Sequence, residues 1–298
     1  MKGRDLEYRI GDVRFKNPVF LASGPAGYGM EYAELIELER IGGVVTKTIT
    51  HDPRPGNPGR RLWETTSGLL NSIGLENVGA AQFFDEKLPA LIELGVKPIV
   101  SLAAEDWNEY KRLLEQTAAQ ESVDVVEINL SCPNVERGGM LIGTNPELLR
   151  HYVRHAKDVL GTTVVIAKLT PHVADIAALA RVAEEAGADG ITAINTIMGM
   201  EIDLDCGKPI FHRVRAGLSG PAILPIALDA VWKISRTVDI PVIGVGGISS
   251  TEDARKFFMA GASAIQIGTA IFYDHELPVR IVETFEQEGI PAACEGLV

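Results

Sequence analysis

Residues 241–253 read PVIGVGGISSTED and contain one complete strand–loop–helix transition. The apolar run Pro241–Gly244 predicts a buried strand, because a parallel strand covered on both faces is apolar at consecutive positions. The hydroxyls and acids of residues 249–253 are typical of a helix N-terminus and predict a helix over Thr251–Ala260. Between them lies a loop that contains Gly246-Gly247.

The same unit recurs along the chain. We predict eight strands: Val19–Ala22, Gly43–Thr46, Pro98–Leu102, Val125–Asn129, Val164–Lys168, Gly190–Asn195, Pro241–Gly244 and Ala264–Ile267. The predicted helices are Glu31–Ile41, Ala80–Leu94, Trp107–Gln120, Pro146–Leu160, Val173–Ala186, Pro225–Thr237, Thr251–Ala260 and Leu277–Glu288. Eight consecutive βα units indicate an α/β fold, a (β/α)8 TIM barrel, in a single domain over residues 1–298. An open doubly wound sheet is the alternative.

Three segments depart from this repeat. Glu7–Ile10 and Val13–Phe15, joined at Gly11-Asp12, predict an N-terminal β-hairpin that closes the lower end of the barrel. The connections Lys47–Gly79 and Thr196–Pro221 are long and loose in composition. Both follow strand C-termini, which form the catalytic face of this architecture, so we expect them to serve as lids or binding loops.

Composition excludes several classes of protein. The chain has 298 residues and a formal net charge of −12, from 40 acidic and 28 basic residues, without a dense Lys/Arg cluster. These features argue against binding of nucleic acid or an anionic membrane surface. Cys132, Cys206 and Cys294 form no CxxC pair, so we predict no disulfide framework and no metal site. With no signal peptide and no spanning apolar run, the expected location is cytoplasmic.

Polar residues gather at the predicted C-terminal ends of the strands, as expected for a barrel active site. They are Ser23, Lys47, Thr48, Asn129, Cys132, Lys168, Asn195 and Thr196. Thr48 and Thr196, taken singly, are equally compatible with helix capping. Lysines at the ends of buried strands are harder to explain as scaffold, because a buried ammonium needs anionic partners.

The segment Asn129-Leu130-Ser131-Cys132-Pro133-Asn134 follows the fourth predicted strand. Its two carboxamides suit a flat heterocycle with C=O and N–H groups, because each carboxamide both donates and accepts hydrogen bonds. Its thiol could remove a proton once ionised. Alternatively, Cys132 is only a small buried apolar residue beside two turn-forming Asn residues.

The seventh and eighth predicted strands are followed by Gly246-Gly247 and Gly268-Thr269. Glycines allow backbone N–H groups to approach a phosphate closely, and the following helix N-terminus favours its negative charge. Loops after strands 7 and 8 are the usual phosphate position in such barrels. The pattern indicates a phosphorylated ligand.

Together, several segments resemble the dihydroorotate dehydrogenase family over residue 7 to the C-terminus. They are Thr46-Lys47-Thr48, Asn71-Ser72-Ile73-Gly74-Leu75, Asn129 to Asn134, Asn195-Thr196, Gly217-Leu218-Ser219-Gly220-Pro221 and Gly246-Gly247-Ile248. Residues 22–29 and 135–139 resemble the class 1B catalytic subunit. Class 2 members have serine in place of Cys132 and an N-terminal membrane-associating extension, for which a first strand near Val19 leaves no room. Ser101 and Ala216 depart from the family pattern of Asn and Gly.

The resemblance implies an FMN-containing barrel that oxidises dihydroorotate to orotate in pyrimidine biosynthesis. Cys132 would be the catalytic base, taking a proton from carbon while flavin N5 takes hydride. The implied substrate-binding residues are Lys47, Asn71, Ser72, Ile73, Gly74, Leu75, Asn129, Asn134, Asn195 and Thr196. The implied cofactor-binding residues are Ser23, Lys47, Thr48, Ser101, Asn129, Lys168, Ile194, Gly220, Gly246, Gly247, Gly268 and Thr269.

Reoxidation of the flavin requires an electron acceptor. The chain has no second nucleotide-binding fingerprint and no clustered cysteines for an iron–sulfur centre. The class 1B resemblance implies a partner subunit with FAD and a [2Fe-2S] cluster that reduces NAD⁺, in a heterotetramer built on a homodimer of this chain. Alternatives are a fumarate-dependent class 1A enzyme, a dihydropyrimidine dehydrogenase subunit acting on dihydrouracil, a Schiff-base barrel using Lys47 or Lys168, and a non-catalytic binding barrel.

Overall fold

The computed structural model of the chain describes residues 4–131, 133–134 and 140–294. The predicted base Cys132 and the segment 135–139 lie outside these residues, and for Asn134 only the backbone is described. The centre of the fold is a closed barrel of eight parallel strands, each paired with its neighbours in sequence. This confirms the predicted (β/α)8 barrel and excludes the open sheet.

The barrel strands are here numbered 1 to 8 in chain order. Their bounds are Val19–Leu21, Gly43–Val45, Pro98–Leu102, Val125–Asn129, Val164–Lys168, Gly190–Ala193, Val242–Val245 and Ala264–Ile267. All eight overlap the predicted strands. The sixth ends two residues early and the seventh is displaced by one residue, within the ordinary uncertainty of element ends.

Helices follow most of these strands and pack around the barrel. The longer ones are Trp107–Ala118, Pro146–Leu160, Ile176–Glu185, Leu224–Ser235, Thr251–Met259 and Leu277–Glu288. A further helix runs through Ala80–Gln82, the π-helical turn Phe83–Lys87 and Leu88–Glu93. Ile176–Glu185 begins three residues later than predicted because the Asp175 side chain caps it, accepting from the backbone N–H of Ala178.

The predicted helix over Glu31–Ile41 is wrong. This segment contains only the 3₁₀ turns Met30–Tyr32 and Leu38–Arg40, and the backbone leaves helical geometry at Glu37, where ψ is 76°. Ile36 and Leu38 are both buried. Residues two apart point to nearly opposite sides of a helix, so a continuous helix could not bury both on the barrel.

The predicted N-terminal hairpin is formed by Tyr8–Ile10 and Val13–Phe15. Ile10 and Phe15 are buried in the same apolar cluster as Val125 and Val164, the first residues of strands 4 and 5. Since parallel strands all begin at one end of the barrel, the hairpin closes that lower end, as predicted. The upper, C-terminal end is left for the site.

The two long connections are not loose loops, contrary to the sequence analysis. Together they build a four-stranded antiparallel sheet in the order Ile197–Met200, Arg215–Ser219, Gly68–Asn71 and Leu62–Thr65. The short pair Ile202–Asp203 and Lys208–Pro209 extends from it. Pairing between segments so distant in the chain is not visible in local patterns. The sheet joins the connections after strands 2 and 6 at the upper end of the barrel.

Side chains inside the barrel lie in layers contributed by alternate strands. One layer, near the hairpin, is apolar and consists of Phe20, Ile99, Ile166 and Ile243. The period-2 alternation of strands then places Val45, Glu127, Thr192 and Gln266 in the next layer, and Ala22, Ser101, Lys168 and Val245 above it. The interior therefore changes from apolar to polar toward the C-terminal end. No helix within the described ranges is both long and apolar enough to cross a bilayer.

Candidate active site

Hydroxyl groups from strands 1, 2 and 3 form a connected chain at the upper end of the barrel. The Ser23 Oγ donates to the Thr46 carbonyl at 2.8 Å and lies 3.2 Å from Thr48 Oγ1. Thr48 Oγ1 in turn lies 2.9 Å from Ser101 Oγ. The structure thus brings together three predicted cofactor contacts. Ser101, a departure from the family pattern, is fully buried and has a hydroxyl partner.

Lys168 ends strand 5 with its side chain inside the barrel, only 6% exposed. Its Nζ lies 3.2 Å from Glu127 Oε1, so the anionic partner expected for a buried lysine is Glu127. Glu127 is wholly buried and also accepts from Thr192 Oγ1 at 2.8 Å and from Gln266 Nε2 at 2.7 Å. Within the described residues this is the ammonium's one polar contact, so two of its three N–H bonds remain available to a ligand.

The carboxamides that end strands 4 and 6 are in contact. Asn195 Nδ2 donates to Asn129 Oδ1 at 3.1 Å and to Ser131 Oγ at 2.8 Å. Asn195 Oδ1 accepts from the backbone N–H of Thr196. Both residues are only partly buried. This arrangement can present amide donors and acceptors to a ligand that has C=O and N–H groups.

Asn71 lies in the antiparallel sheet, not on a barrel strand. Its Nδ2 donates to the carbonyl of Gly217 at 3.1 Å. A Cβ at Gly217 would lie 2.3 Å from Thr196 Oγ1 and 3.3 Å from Asn71 Nδ2. Thr196 and Asn71 therefore meet across Gly217, where only a residue without a side chain fits. The sheet brings the predicted substrate residues of two connections together.

The loop Ser72–Leu75 is fixed by neighbouring carboxamides. Asn57 Nδ2 donates to Ser72 Oγ at 3.0 Å and to the Ser72 carbonyl at 3.2 Å. Asn77, 6% exposed, donates to the carbonyl of Leu75 at 2.7 Å. Because both ends of the loop are held, Ile73, Gly74 and Leu75 have a defined backbone course beside Asn71.

Lys47 follows strand 2 and is half-buried. Its backbone N–H donates to the Gly27 carbonyl at 2.6 Å, and its charge acts on the nearby carboxylate of Glu76. The Arg61 hydrogen bond and charge, helped by the charge of Lys47, hold the pKa of Glu76 below its ordinary value despite partial desolvation. Lys47 thus supplies positive potential near the Ser72–Leu75 loop.

The ends of strands 7 and 8 carry backbone N–H groups that could bind a ligand. The N–H groups of Gly246, Gly247, Gly268 and Thr269 donate to no other described residue. Gly247 has φ +81°, and a Cβ there would lie 2.7 Å from the backbone nitrogen of Leu224. Gly246 is buried and the other three residues are half-buried, so these donors at a helix start are suited to an anion.

The remaining predicted cofactor residues border these amides. Ile194 is buried, and its side chain would lie 3.6 Å from a Cβ at Gly246. Thr269 Oγ1 donates to Ser219 Oγ at 2.8 Å, which places the 217–221 segment against strand 8. Gly220 lies so close to Gly68 that a Cβ would be 2.8 Å from its Cα. Strands 6, 7 and 8 thus share one edge of the site.

Glu127, Thr192 and Gln266 were not among the residues predicted for the site, although they contact Lys168 directly or through one another. Each is a polar residue directly flanked by apolar residues in its strand, and each is completely buried. That isolation was the available signal, because a buried polar group needs a specific partner. The partners themselves come from three different strands and cannot be identified from local sequence.

Comparison with known proteins gives the family. The family model for dihydroorotate dehydrogenase matches residues 5–288 of the chain. The chain belongs to the dihydroorotate dehydrogenase family. This match covers all eight barrel strands and the antiparallel sheet, so the resemblance inferred from scattered motifs is confirmed over nearly the whole chain.

Individual members of the dihydroorotate dehydrogenase family are similar over almost their full length. A Thermoanaerobacter pseudethanolicus protein is 45% identical over 283 residues, which cover 95% of this chain and 93% of that protein. A Thermodesulfovibrio yellowstonii protein is 44% identical over 282 residues, with the same two coverages. A Citrifermentans bemidjiense protein is 41% identical over 297 residues, covering 100% and 97%. All three are named "Dihydroorotate dehydrogenase B (NAD(+)), catalytic subunit".

Proposed function

We propose that the chain is the FMN-dependent catalytic subunit of an NAD⁺-linked dihydroorotate dehydrogenase, which oxidises (S)-dihydroorotate to orotate in pyrimidine biosynthesis. The observation that carries this proposal is the convergence at one barrel end of two kinds of group. The contacting carboxamides of Asn129 and Asn195, suited to a pyrimidine, lie there. So do backbone amides that donate to no described residue and are suited to a phosphate. The names of the relatives point to the same reaction.

The residues present fit FMN. The free amides of Gly246, Gly247, Gly268 and Thr269 would hold its phosphate. The hydroxyls of Ser23, Thr48 and Ser101 would border the remainder of the cofactor, and Lys168 would place positive charge beside the isoalloxazine. Bound FMN would supply the hydride acceptor, a chemistry that no side chain provides.

The dihydropyrimidine ring would lie between the strand ends and the antiparallel sheet. Asn71, Asn129 and Asn195 would bond its C=O and N–H groups, with Asn134 and Thr196 assisting. Its carboxylate would accept from the backbone N–H groups of Gly74 and Leu75, with Ser72 and Ile73 bordering it. The Lys47 ammonium, whose charge also acts on Glu76 next to this loop, would add the opposite charge.

Cys132 would hold the position of catalytic base. As a thiolate it would take the proton from the ring carbon beside the carbonyl, while the neighbouring carbon gives up hydride. Cys206 and Cys294 are weaker candidates because both are exposed. Cys206 lies in the turn between Ile202–Asp203 and Lys208–Pro209, at the outer edge of the antiparallel sheet.

Electrons would leave through a second protein. The relatives are named catalytic subunits of an NAD⁺-linked enzyme, which implies a further subunit in those proteins. For this chain we propose a partner that carries FAD and a [2Fe-2S] cluster, in a heterotetramer built on a homodimer of the chain.

The visible spectrum of the purified chain tests the cofactor. We expect a yellow protein whose flavin absorbance is bleached by dihydroorotate without oxygen. A colourless preparation that does not take up added FMN would contradict the proposal and favour a Schiff-base barrel. Bleaching by dihydrouracil but not by dihydroorotate would indicate a dihydropyrimidine dehydrogenase subunit, because only dihydroorotate has the carboxylate.

Turnover with different acceptors tests the class. We expect the isolated chain to reduce NAD⁺ scarcely and to turn over poorly with fumarate. Efficient turnover with fumarate as sole acceptor would indicate class 1A, and rapid NAD⁺ reduction by the isolated chain would remove the need for the partner subunit.

A further inference from the structure

A carboxylate lies at the centre of the barrel where an apolar residue would be expected. Glu127 is 0% exposed and occupies the third position of strand 4, with its side chain directed into the barrel toward strands 5, 6 and 8. Oε1 faces Lys168 Nζ at 3.2 Å, and Oε2 accepts from Thr192 Oγ1 and Gln266 Nε2. Both oxygens are therefore held in fixed positions.

Stability alone does not explain this arrangement. Removing two charges from water costs several kcal/mol per ion, and apolar replacements of buried ion pairs are often as stable. The layer also leaves a polar atom unsatisfied, since Gln266 Oε1 is buried without a partner among the described residues. If the Gln266 carboxamide were rotated by 180°, its oxygen would face the Glu127 carboxylate and be repelled. The hydrogen bond to Glu127 therefore fixes the orientation of the Gln266 side chain, at the cost of leaving Oε1 without a described partner.

The position of Glu127 relative to Lys168 indicates a functional reason for burying this ion pair. In register, Lys168 lies beside Asn129 of strand 4, two residues nearer the open end than Glu127. The carboxylate thus contacts the ammonium from the lower side of the barrel and occupies one of its three N–H bonds. Thr192 and Gln266 hold the carboxylate in turn. The Lys168 ammonium therefore has a counter-ion, Glu127, that is itself held in place inside the barrel.

We propose that Glu127, held in place by Thr192 and Gln266, is a positioning residue that keeps the Lys168 ammonium directed at the bound flavin, and so raises the flavin reduction potential. This inference rests on the proposed FMN function. Glu127 itself touches neither flavin nor substrate. Without its carboxylate, the ammonium would withdraw toward water, because an unpaired charge is costly in the barrel interior.

The test is a double-mutant cycle read as the midpoint potential of protein-bound FMN. Glu127→Gln keeps the shape and removes the charge, and Lys168→Met removes the ammonium but keeps an apolar stem. We expect each single variant to reduce the preference for reduced over oxidised flavin by about tenfold, which is ~30 mV for a two-electron couple. The double variant should equal Lys168→Met, because Glu127 acts only through Lys168.

Asp189→Asn is the matched control. Asp189 also pairs with a lysine, Lys157, at 2.6 Å and accepts from a strand backbone N–H, but it lies just before strand 6, at the lower end of the barrel. We expect this variant to lower thermal stability without moving the flavin potential. A potential shift in Asp189→Asn as large as that in Glu127→Gln would show a general effect of weakened packing and overturn the inference.

The outcomes separate the inference from the proposed function. A Lys168→Met variant with an unchanged potential would remove the proposed role of Lys168 itself. If Lys168→Met lowers the potential but Glu127→Gln leaves it unchanged or raises it, only the inference is overturned. Additive shifts in the double variant would overturn it as well. Should Glu127→Gln fail to fold, Thr192→Val removes one bond to the carboxylate, and we expect a roughly twofold shift in the same direction. No shift would overturn the inference.

Discussion

Asn195 donates from Nδ2 to Oδ1 of Asn129 across 3.1 Å, although the two residues are 66 positions apart in the chain. One ends strand 4 and the other follows strand 6, and they meet because parallel barrel strands all end at the same face. The contact fixes the orientation of both amide groups. It leaves the Asn129 Nδ2 group without a partner among the described residues, as a donor for a ligand carbonyl.

Cys132→Ala should remove the base without removing the cofactor site. We expect turnover with dihydroorotate to fall by roughly 10²- to 10⁴-fold, the usual contribution of a general base. In the unmodified protein the rate should rise with pH until the thiol is ionised, near pH ~8.5 for an ordinary cysteine. Steady-state rates from pH 6 to 10, together with flavin content, check both expectations. Cys206→Ala is the control and should retain activity, and a fully active Cys132→Ala variant would contradict the assignment.

Lys168→Met should make reduction of the bound flavin less favourable. Reduced flavin carries negative charge, which a nearby ammonium stabilises more than it stabilises the neutral oxidised form. The midpoint potential, measured by anaerobic titration against a reference dye, should fall by ~30 mV or more, equivalent to a tenfold change in the two-electron equilibrium. An unchanged potential would show that Lys168 does not face the flavin.

Gly217→Ala should displace Thr196. The added Cβ would lie 2.3 Å from Thr196 Oγ1, far inside contact distance, so the strand Arg215–Ser219 or the Thr196 side chain must move. We expect kcat/KM for dihydroorotate to fall by roughly 10- to 100-fold, since small displacements of positioning groups are costly.

Gly190→Ala is the control for Gly217→Ala. Its added Cβ would meet neighbours at 3.4 to 3.8 Å, which are ordinary contacts, and Gly190 lies at the start of strand 6, away from the site. We expect near-normal kcat/KM. Equal losses in the two variants would show that any added side chain in the barrel damages activity.

Asp253→Asn should weaken the helix that follows the Gly246-Gly247 loop, and should do so in a pH-dependent way. Burial alone would raise the pKa of Asp253, but hydrogen bonds from Lys256 and Ser249 outweigh it and hold this pKa below its ordinary value of 3.8. A lowered pKa in the folded state means that the ionised carboxylate stabilises the fold above the unfolded pKa. This contribution is lost as pH falls through the folded pKa.

We therefore expect Asp253→Asn to lower the free energy of unfolding by roughly 1 kcal/mol at pH 7, as loss of a capping interaction usually does. The difference should shrink toward pH 3, as measured by urea unfolding. Asp229→Asn breaks an exposed i,i+4 pair with Lys233 and should have almost no effect at either pH. A difference for Asp253→Asn that persists undiminished at pH 3 would contradict the linkage.

The predicted element bounds were most accurate where the sequence signal lies within a few consecutive residues. Strand 5, Val164–Lys168, and the helices Pro146–Leu160 and Leu277–Glu288 have the predicted bounds, because apolar periodicity and the Asn145-Pro146 start signal are local. The helix predicted over Glu31–Ile41 failed because the burial of both Ile36 and Leu38 depends on the surface they pack against.

By itself, the sequence determined the βα rhythm, the polar strand ends and the family to which the chain belongs. Only the tertiary structure shows which of those strand ends are in contact, for example Asn195 with Asn129. It also shows that the two long connections form one antiparallel sheet, in which Gly217 pairs with Asn71. It also decided that the counter-charge of Lys168 is Glu127, which in sequence is a single acid within an apolar strand. The physical reason is that hydrogen bonds and charges act over a few ångströms in space, whereas the residues that make them are separated by 41 to 146 positions along the chain.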